Sequence, residues 1–286
     1  MSNKNLNFAF LGTSEFAVKI LEKLIENGYI PYLIVTVPDR PKGRKMILTP
    51  PPVKQLIANG KWQIEIAQPE KLSAISHQLS AVRPDLFIVA DYGKIIPKSV
   101  LDLPKYGTIN VHPSLLPKFR GPSPIQSFIL SGEEKTGVTI MLMDEEVDHG
   151  AILSQQKYQG STLILPKMEE NLAELGGEML VEVIPKWING EIKAQEQDHG
   201  LATFTKKIAK EDGLVDLKKD NPETIYGKFL AFQPWPGIYY FTQKDGKNMR
   251  VIITDMELKD GKLEIKKVKL EGKNEMSFDV FSKSLR

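Results

Sequence analysis

Leu86-Phe87-Ile88-Val89-Ala90 is an unbroken run of apolar residues. A run this short and this continuous predicts a strand buried on both faces of a sheet. Working outward, residues 8–11, 30–37, 108–111 and 138–143 read the same way. Between them lie amphipathic stretches. Residues 16–25 set Phe16, Val18, Ile20, Leu21, Leu24 and Ile25 mostly on one helical face, and 75–82 and 168–187 are similarly helical. Strands separated by helices need right-handed crossovers, so the expected fold is α/β, a Rossmann-like, doubly wound and mainly parallel sheet. In such sheets ligands bind beyond the carboxyl ends of the strands, where the strand order reverses.

The pattern changes after Trp187. Asn189-Gly190 ends the long helix, and 191–202 is polar without a clear period. Beyond it a helix over 222–231 precedes strand-like segments at 237–242, 250–253, 263–270 and 277–281, with Asp-Gly turns at Asp245-Gly246 and Asp260-Gly261. The expected organisation is a first domain over 1–188, a linker over 189–203 and a small OB-like β-barrel over 204–286.

Composition narrows the chemistry. The 286 residues are 41% hydrophobic and 26% charged, an ordinary globular balance. There is no cysteine, so disulfides, thiolate metal sites and cysteine nucleophiles are excluded. Four scattered histidines lack metal-ligand spacing, which argues against zinc. No apolar run approaches the roughly 20 residues that span a bilayer, and the expected location is the cytoplasm. Phe10-Leu11-Gly12-Thr13-Ser14-Glu15 has one glycine where a dinucleotide fingerprint needs three, and no phosphate-cradling loop ends in Gly-Lys-Ser. From Thr203 onward 17 Lys and Arg face 13 Asp and Glu, in a chain of net charge +2. That excess suits weak attraction to nucleic acid, and equally a solvated lysine-rich surface.

The most informative stretch is Thr108-Ile109-Asn110-Val111-His112-Pro113-Ser114-Leu115-Leu116-Pro117-Lys118-Phe119-Arg120-Gly121. Side chains alternate along a strand, so Asn110 and His112 share a face at its carboxyl end. Pro113 and Pro117 stiffen the loop that follows, and Ser114, Leu115, Leu116 and Pro117 form a wall suited to a flat heterocycle. A second segment, Met143-Asp144-Glu145-Glu146-Val147-Asp148-His149-Gly150, brings four carboxylates within five residues. Spacing alone does not choose a catalytic one among them, and an acidic turn between two strands explains them equally well. His77 and His199 read as surface residues. In an extended loop His149 points away from Asp148.

Asn-x-His-Pro-Ser-Leu-Leu-Pro, then Arg-Gly, then Asp148-x-Gly together resemble the folate-dependent formyltransferases. That family acts on glycinamide ribonucleotide, amino sugars and methionyl-tRNA. The resemblance implies a catalytic Asn110, His112 and Asp148, with 10-formyltetrahydrofolate as formyl donor and no metal. Three features resemble the branch acting on initiator methionyl-tRNA. Pro38-Asp39-Arg40-Pro41-Lys42-Gly43-Arg44-Lys45 resembles its insertion loop into the acceptor stem. Lys210-Glu211-Asp212-Gly213 with Ala231-Phe232-Gln233-Pro234-Trp235-Pro236-Gly237 resembles its C-terminal domain. Tyr92-Gly93 with Ile96-Pro97 resembles its folate-pocket strand. The expected protein is a monomer whose Lys42, Arg44, Lys45, Lys206, Lys207 and Lys210 meet tRNA phosphates. Alternatives are an amino-sugar formyltransferase and a non-catalytic tRNA- or folate-binding module.

The groups suit the chemistry. Attack of an amine on a formyl carbon puts negative charge on the carbonyl oxygen, which Asn110 and a protonated His112 can stabilise. Asp148 then holds His112 charged and relays protons through water.

Overall fold

Unbroken apolar runs become strands whose side chains are shut off from solvent. That description fits β1 (Phe8–Gly12), β2 (Leu33–Val35), β6 (Leu86–Ala90), β7 (Thr108–His112) and β8 (Gly137–Leu142), while β3 (Arg40–Lys42), β4 (Ile47–Thr49), β5 (Glu65–Ala67) and β9 (Ile152–Lys157) are partly or wholly exposed. Four more follow: β10 (Ile238–Lys244), β11 (Lys247–Lys259), β12 (Lys262–Leu270) and β13 (Glu275–Ser277). The helices are α1 (Glu15–Glu26), α2 (Pro52–Asn59), α3 (Ser76–Ala81), α4 (Lys98–Leu101), α5 (Pro124–Ser131), α6 (Leu165–Ile188), α7 (Pro222–Ala231) and α8 (Phe278–Lys283). The computed structural model describes residues 6–43, 45–60, 62–161, 164–244 and 246–285.

These residues form two units. One holds the chain up to Pro122, Lys135–Gln159 and Glu169–Phe204, and the other holds Ser123–Glu134, Gly160–Met168 and the chain from Thr205 onward. Residues 189–203, expected as a linker, therefore belong to the first unit.

The first unit is built on a seven-stranded sheet in the order β5-β2-β1-β6-β7-β8-β9. Pairing is parallel from β5 through β7, and β8 and β9 add antiparallel pairs. The chain moves outward from β1 to β2 and β5, then returns to β6 on the other side. The order thus reverses between β1 and β6, and ligands of such sheets gather at the carboxyl ends there. On one face Ala9, Leu11, Phe87 and Val89 join Leu72, Leu79, Val100 and Leu101 in a buried core. On the other face α6 comes close because Gly176 has no side chain: a Cβ there would sit 2.7 Å from Cγ1 of Val111. Among the described residues no helix is long and apolar enough to cross a membrane.

The second unit carries the four-stranded antiparallel sheet β10-β11-β12-β13, with α5 packed on α7. The Asp260-Gly261 turn joins β11 and β12 in a two-residue hairpin, with φ of 49° and 71° at its centre. Positive φ at both central residues is what such a turn requires. Of the other expected turn, Asp245 lies outside the described residues. The strand expected over 277–281 is instead the end of β13 followed by α8. Ser277 is the reason: its hydroxyl accepts from the Val280 amide and caps the helix, and Asp279 lies in the first turn.

Candidate active site

β7 aims the site. Asn110 and His112 are partners of Met141 and Thr139 on β8, and their own side chains share one face at the strand's carboxyl end. Both are buried, at 8% and 4% exposure. His112 Nε2 lies 3.0 Å from the Phe119 carbonyl oxygen. A carbonyl only accepts, so Nε2 carries a proton and Nδ1 is the nitrogen left to exchange one. That Nδ1 faces Asp148 Oδ1 at 3.6 Å, and the Asn110 amide nitrogen approaches the same oxygen at 3.5 Å.

Asp148 belongs to the turn between β8 and β9. Its two oxygens differ. Oδ2 accepts the Gly121 amide at 2.7 Å, a short, charge-assisted bond, whereas among the described residues Oδ1 has only the two long approaches just described. The carboxylate is thus anchored by one oxygen and open at the other. Its backbone has φ 49°, the left-handed region that few non-glycine residues adopt. Two residues on, Gly150 is required because a Cβ there would run into the Leu142 carbonyl oxygen.

The structure therefore brings Asn110, His112 and Asp148 together, Asp148 being the one of the four acidic residues whose carboxylate approaches the pair. Among the others, Asp144 Oδ2 bonds His149 Nδ1 at 2.6 Å. His149 in turn stacks on His199, ring centroids 4.1 Å apart. His199, read from sequence as a plain surface residue, also receives Arg120 Nη2 at Nδ1, 2.9 Å away. An arginine only donates, so this His199 nitrogen is an acceptor.

The loop after β7 is held from inside. Thr139, fully buried, donates to the Ser114 carbonyl and accepts from the Leu116 amide and from Gln155. Gln155 also donates to the Leu116 carbonyl, and the Ser114 hydroxyl donates to that of Lys118. Ser114 and Leu116, expected to face a heterocycle, instead direct these groups into the protein. Leu115 and Pro117 are half-buried.

A comparable correction applies to Tyr92. Its ring belongs to the apolar core with Leu33, Val35 and Phe87, and burial pushes its phenol up to about 12. On that loop Gly93, at φ 78°, is exposed together with Asp91 and Ile95, and the Tyr92 carbonyl accepts the Thr13 hydroxyl at 2.9 Å.

Across the switch point, burial raises Glu169 of α6 to about 7, with Asp91 and Glu15 adding repulsion.

The expected phosphate contacts divide. Lys42 and Lys45 are exposed on the β3–β4 hairpin, and Arg44 lies outside the described residues. Arg40 pairs with Glu70 at 2.9 Å, and Lys54 with Asp39 at 2.9 Å. In the second unit Lys207 and Lys210 are exposed, while Lys206 pairs with Asp212 at 2.9 Å.

The residues that sequence reasoning missed lie in 195–204. Gln195 exchanges both backbone bonds with Ile152, at 2.7 and 2.9 Å. Gln197 donates to the carbonyls of Asp148 and Gly150 and accepts twice from Arg120. Thr203 accepts from the Phe119 amide through its hydroxyl and from the Arg120 amide through its carbonyl. No period marks such a strap, because each contact reaches a different distant segment.

Residues 6–184 match the family described as Formyl transferase, and 207–260 match Formyl transferase, C-terminal domain. The methionyl-tRNA formyltransferase of Halalkalibacterium halodurans is 42% identical over 255 residues, 86% of this chain and 77% of that protein. The methionyl-tRNA formyltransferase structure from Clostridium thermocellum shares the fold at TM-score 0.61 and 17% identity, over 93% of this chain and 98% of that one. HypX from Aquifex aeolicus, in complex with tetrahydrofolic acid, superposes at TM-score 0.68 and 18% identity over 98% of this chain. The match takes in only 48% of HypX, so this chain spans about half its length.

Proposed function

Because this chain belongs to the formyl transferase family, we propose that it moves the formyl group of 10-formyltetrahydrofolate to the amino group of methionine on initiator tRNA, in the cytoplasm, to start translation. The observation that carries the reading is the meeting of Asn110, His112 and Asp148 at the carboxyl end of β7. Relatives named methionyl-tRNA formyltransferase, at 42% identity over most of the chain, favour the tRNA acceptor over an amino sugar.

The donor supplies an activated formyl carbonyl, and the groups present suit it: an amide N–H, an imidazole and a carboxylate with one loosely held oxygen. The attacking amine must shed a proton, and the nitrogen that leaves the formyl carbon must gain one. Asp148 Oδ1 is the open acceptor for the first transfer, reached directly or through water. His112 Nδ1 is the group that passes a proton on, its Nε2 being held by Phe119. Asn110 offers its N–H to the carbonyl oxygen as charge builds there. Approaches of 3.5 to 3.6 Å are long for hydrogen bonds, and such contacts commonly tighten once substrate is bound. The 92–93 backbone, Leu115 and Pro117 contact the folate. Lys42 and Lys45 contact tRNA, together with Lys207 and Lys210 of the tRNA-binding C-terminal domain.

One assay tests the whole reading. The protein is incubated with 10-formyltetrahydrofolate and either initiator methionyl-tRNA or a nucleotide-linked amino sugar, and products are read by mass. Formyl-methionyl-tRNA is the expected product, and formylation of the sugar alone overturns the assignment.

A further inference from the structure

We propose that Gln197 is a positioning residue for Asp148, holding the carboxylate in place from a segment that makes none of the chemistry; its effect on rate rests on the formyl transfer proposed above. Asp148 sits at φ 49°, and such a conformation in a non-glycine residue persists only where the surroundings fix it. The side-chain oxygen bound to Gly121 fixes the carboxylate head. The backbone is fixed by one side chain: both amide hydrogens of Gln197 are donated, to the Asp148 carbonyl at 2.9 Å and to the Gly150 carbonyl at 2.7 Å. This clamp bridges the two ends of the left-handed turn.

Gln197 is itself locked. It is 5% exposed, and its oxygen accepts Arg120 Nε at 3.2 Å and Nη2 at 2.7 Å. Arg120 is 3% exposed, and its guanidinium also meets His199 and the Phe204 ring. Arg120 precedes Gly121, whose amide holds Asp148 Oδ2. The two anchors of Asp148 therefore start from adjacent residues, one direct and one through Gln197, so the carboxylate is fixed relative to the loop carrying the Phe119 carbonyl that orients His112. The distance between Asp148 and His112 is set by this closed circuit, and misplacement of a reacting group by about 1 Å can cost roughly 100-fold in rate.

The substitution that isolates the clamp is Gln197→Glu. It keeps acceptor oxygens for Arg120, so the buried cation stays paired, but it removes both donors and sets a carboxylate against two carbonyl oxygens. Gln197→Ala, which strips Arg120 of a partner as well, serves as the harsher companion. In steady-state formylation by the full-length protein, Gln197→Glu is expected to lower kcat by about 10- to 100-fold with KM for folate and tRNA changed less than twofold. In 15N-labelled protein the Gly121 amide proton is expected to move upfield and exchange faster with solvent, while the melting temperature stays within a few degrees of the parent. A kcat within twofold of the parent overturns the proposal, as does a rise confined to KM. Should the parent formylate no acceptor, the Gly121 signal still decides the positioning claim: displaced, it stands without the chemistry; unmoved, it falls.

Discussion

The end of β7 and the β3–β4 hairpin are opposite solutions to presenting polar groups. At β7, Asn110 and His112 are nearly inaccessible, and the loop beyond is bonded into Thr139, Gln155, Thr203 and Gln197. On the hairpin Arg40, Pro41 and Lys42 are all exposed, and Met46, Ile47 and Leu48 stand 68%, 61% and 64% in solvent. Among the described residues the base of that hairpin is tied, through Asp39 to Lys54 and Gln68 and through Arg40 to Glu70. Preorganised groups spend nothing on rearrangement at the moment of reaction, which suits transition-state stabilisation. An exposed basic arm with apolar side chains in water suits capture of a large anionic partner. Under the function proposed above, chemistry and acceptor capture are separable, and each of the following substitutions tests that separation.

The largest effect is expected from Asp148→Asn. Loss of the proton acceptor should lower kcat by about 100- to 10,000-fold while leaving both KM values near the parent, measured by initial rates of formylation. Near-parental activity would remove Asp148 from the mechanism. Asn110→Ala comes next, at about 100- to 1,000-fold in kcat, since one oxyanion donor is lost. If its KM for tRNA rises instead, Asn110 binds the acceptor and the contrast breaks.

The hairpin should show the reverse pattern. Lys42→Ala combined with Lys45→Ala is expected to raise KM for methionyl-tRNA several-fold and to make log KM less salt-dependent by about two units of slope, without slowing hydrolysis of formyl-folate. Equal losses in both assays would mean that the arm supports the catalytic site.

The smallest effect concerns Glu169 on α6. Burial, then Asp91 and Glu15, raise its carboxyl from 4.5 to about 7. The folded chain thus keeps a proton that the unfolded chain has lost, and stability contributed by this group falls as pH climbs from 4.5 through 7. Glu169→Gln should therefore raise the melting temperature by a few degrees at pH 8 and leave it unchanged near pH 4.5. A rise of the same size at both values would mean that the gain is packing and not charge.

How much of this was written in the sequence depends on the distance over which each feature is decided. The strands at 8–11, 86–90 and 108–111 were legible because continuous apolarity is a local property. So was the shared face of Asn110 and His112, since alternation needs only neighbouring residues. The Asp260-Gly261 hairpin was legible for the same reason, its positive φ angles being a preference of those two residues. Residues 277–281 were misread because strand and helix preferences compete over five residues, and the Ser277 cap tips the balance.

The tertiary structure alone decided the rest. Tyr92 belongs to the core because of what lies across from it, and Ser114 and Leu116 are bonded inward because Thr139, on the neighbouring strand, stands opposite His112. Gln197 is a clamp because folding brings it to carbonyls nearly 50 residues earlier in the chain and to an arginine 77 residues earlier. Hydrogen bonds between distant segments leave no period in a sequence, since each partner looks like an ordinary polar residue until packing removes water from both.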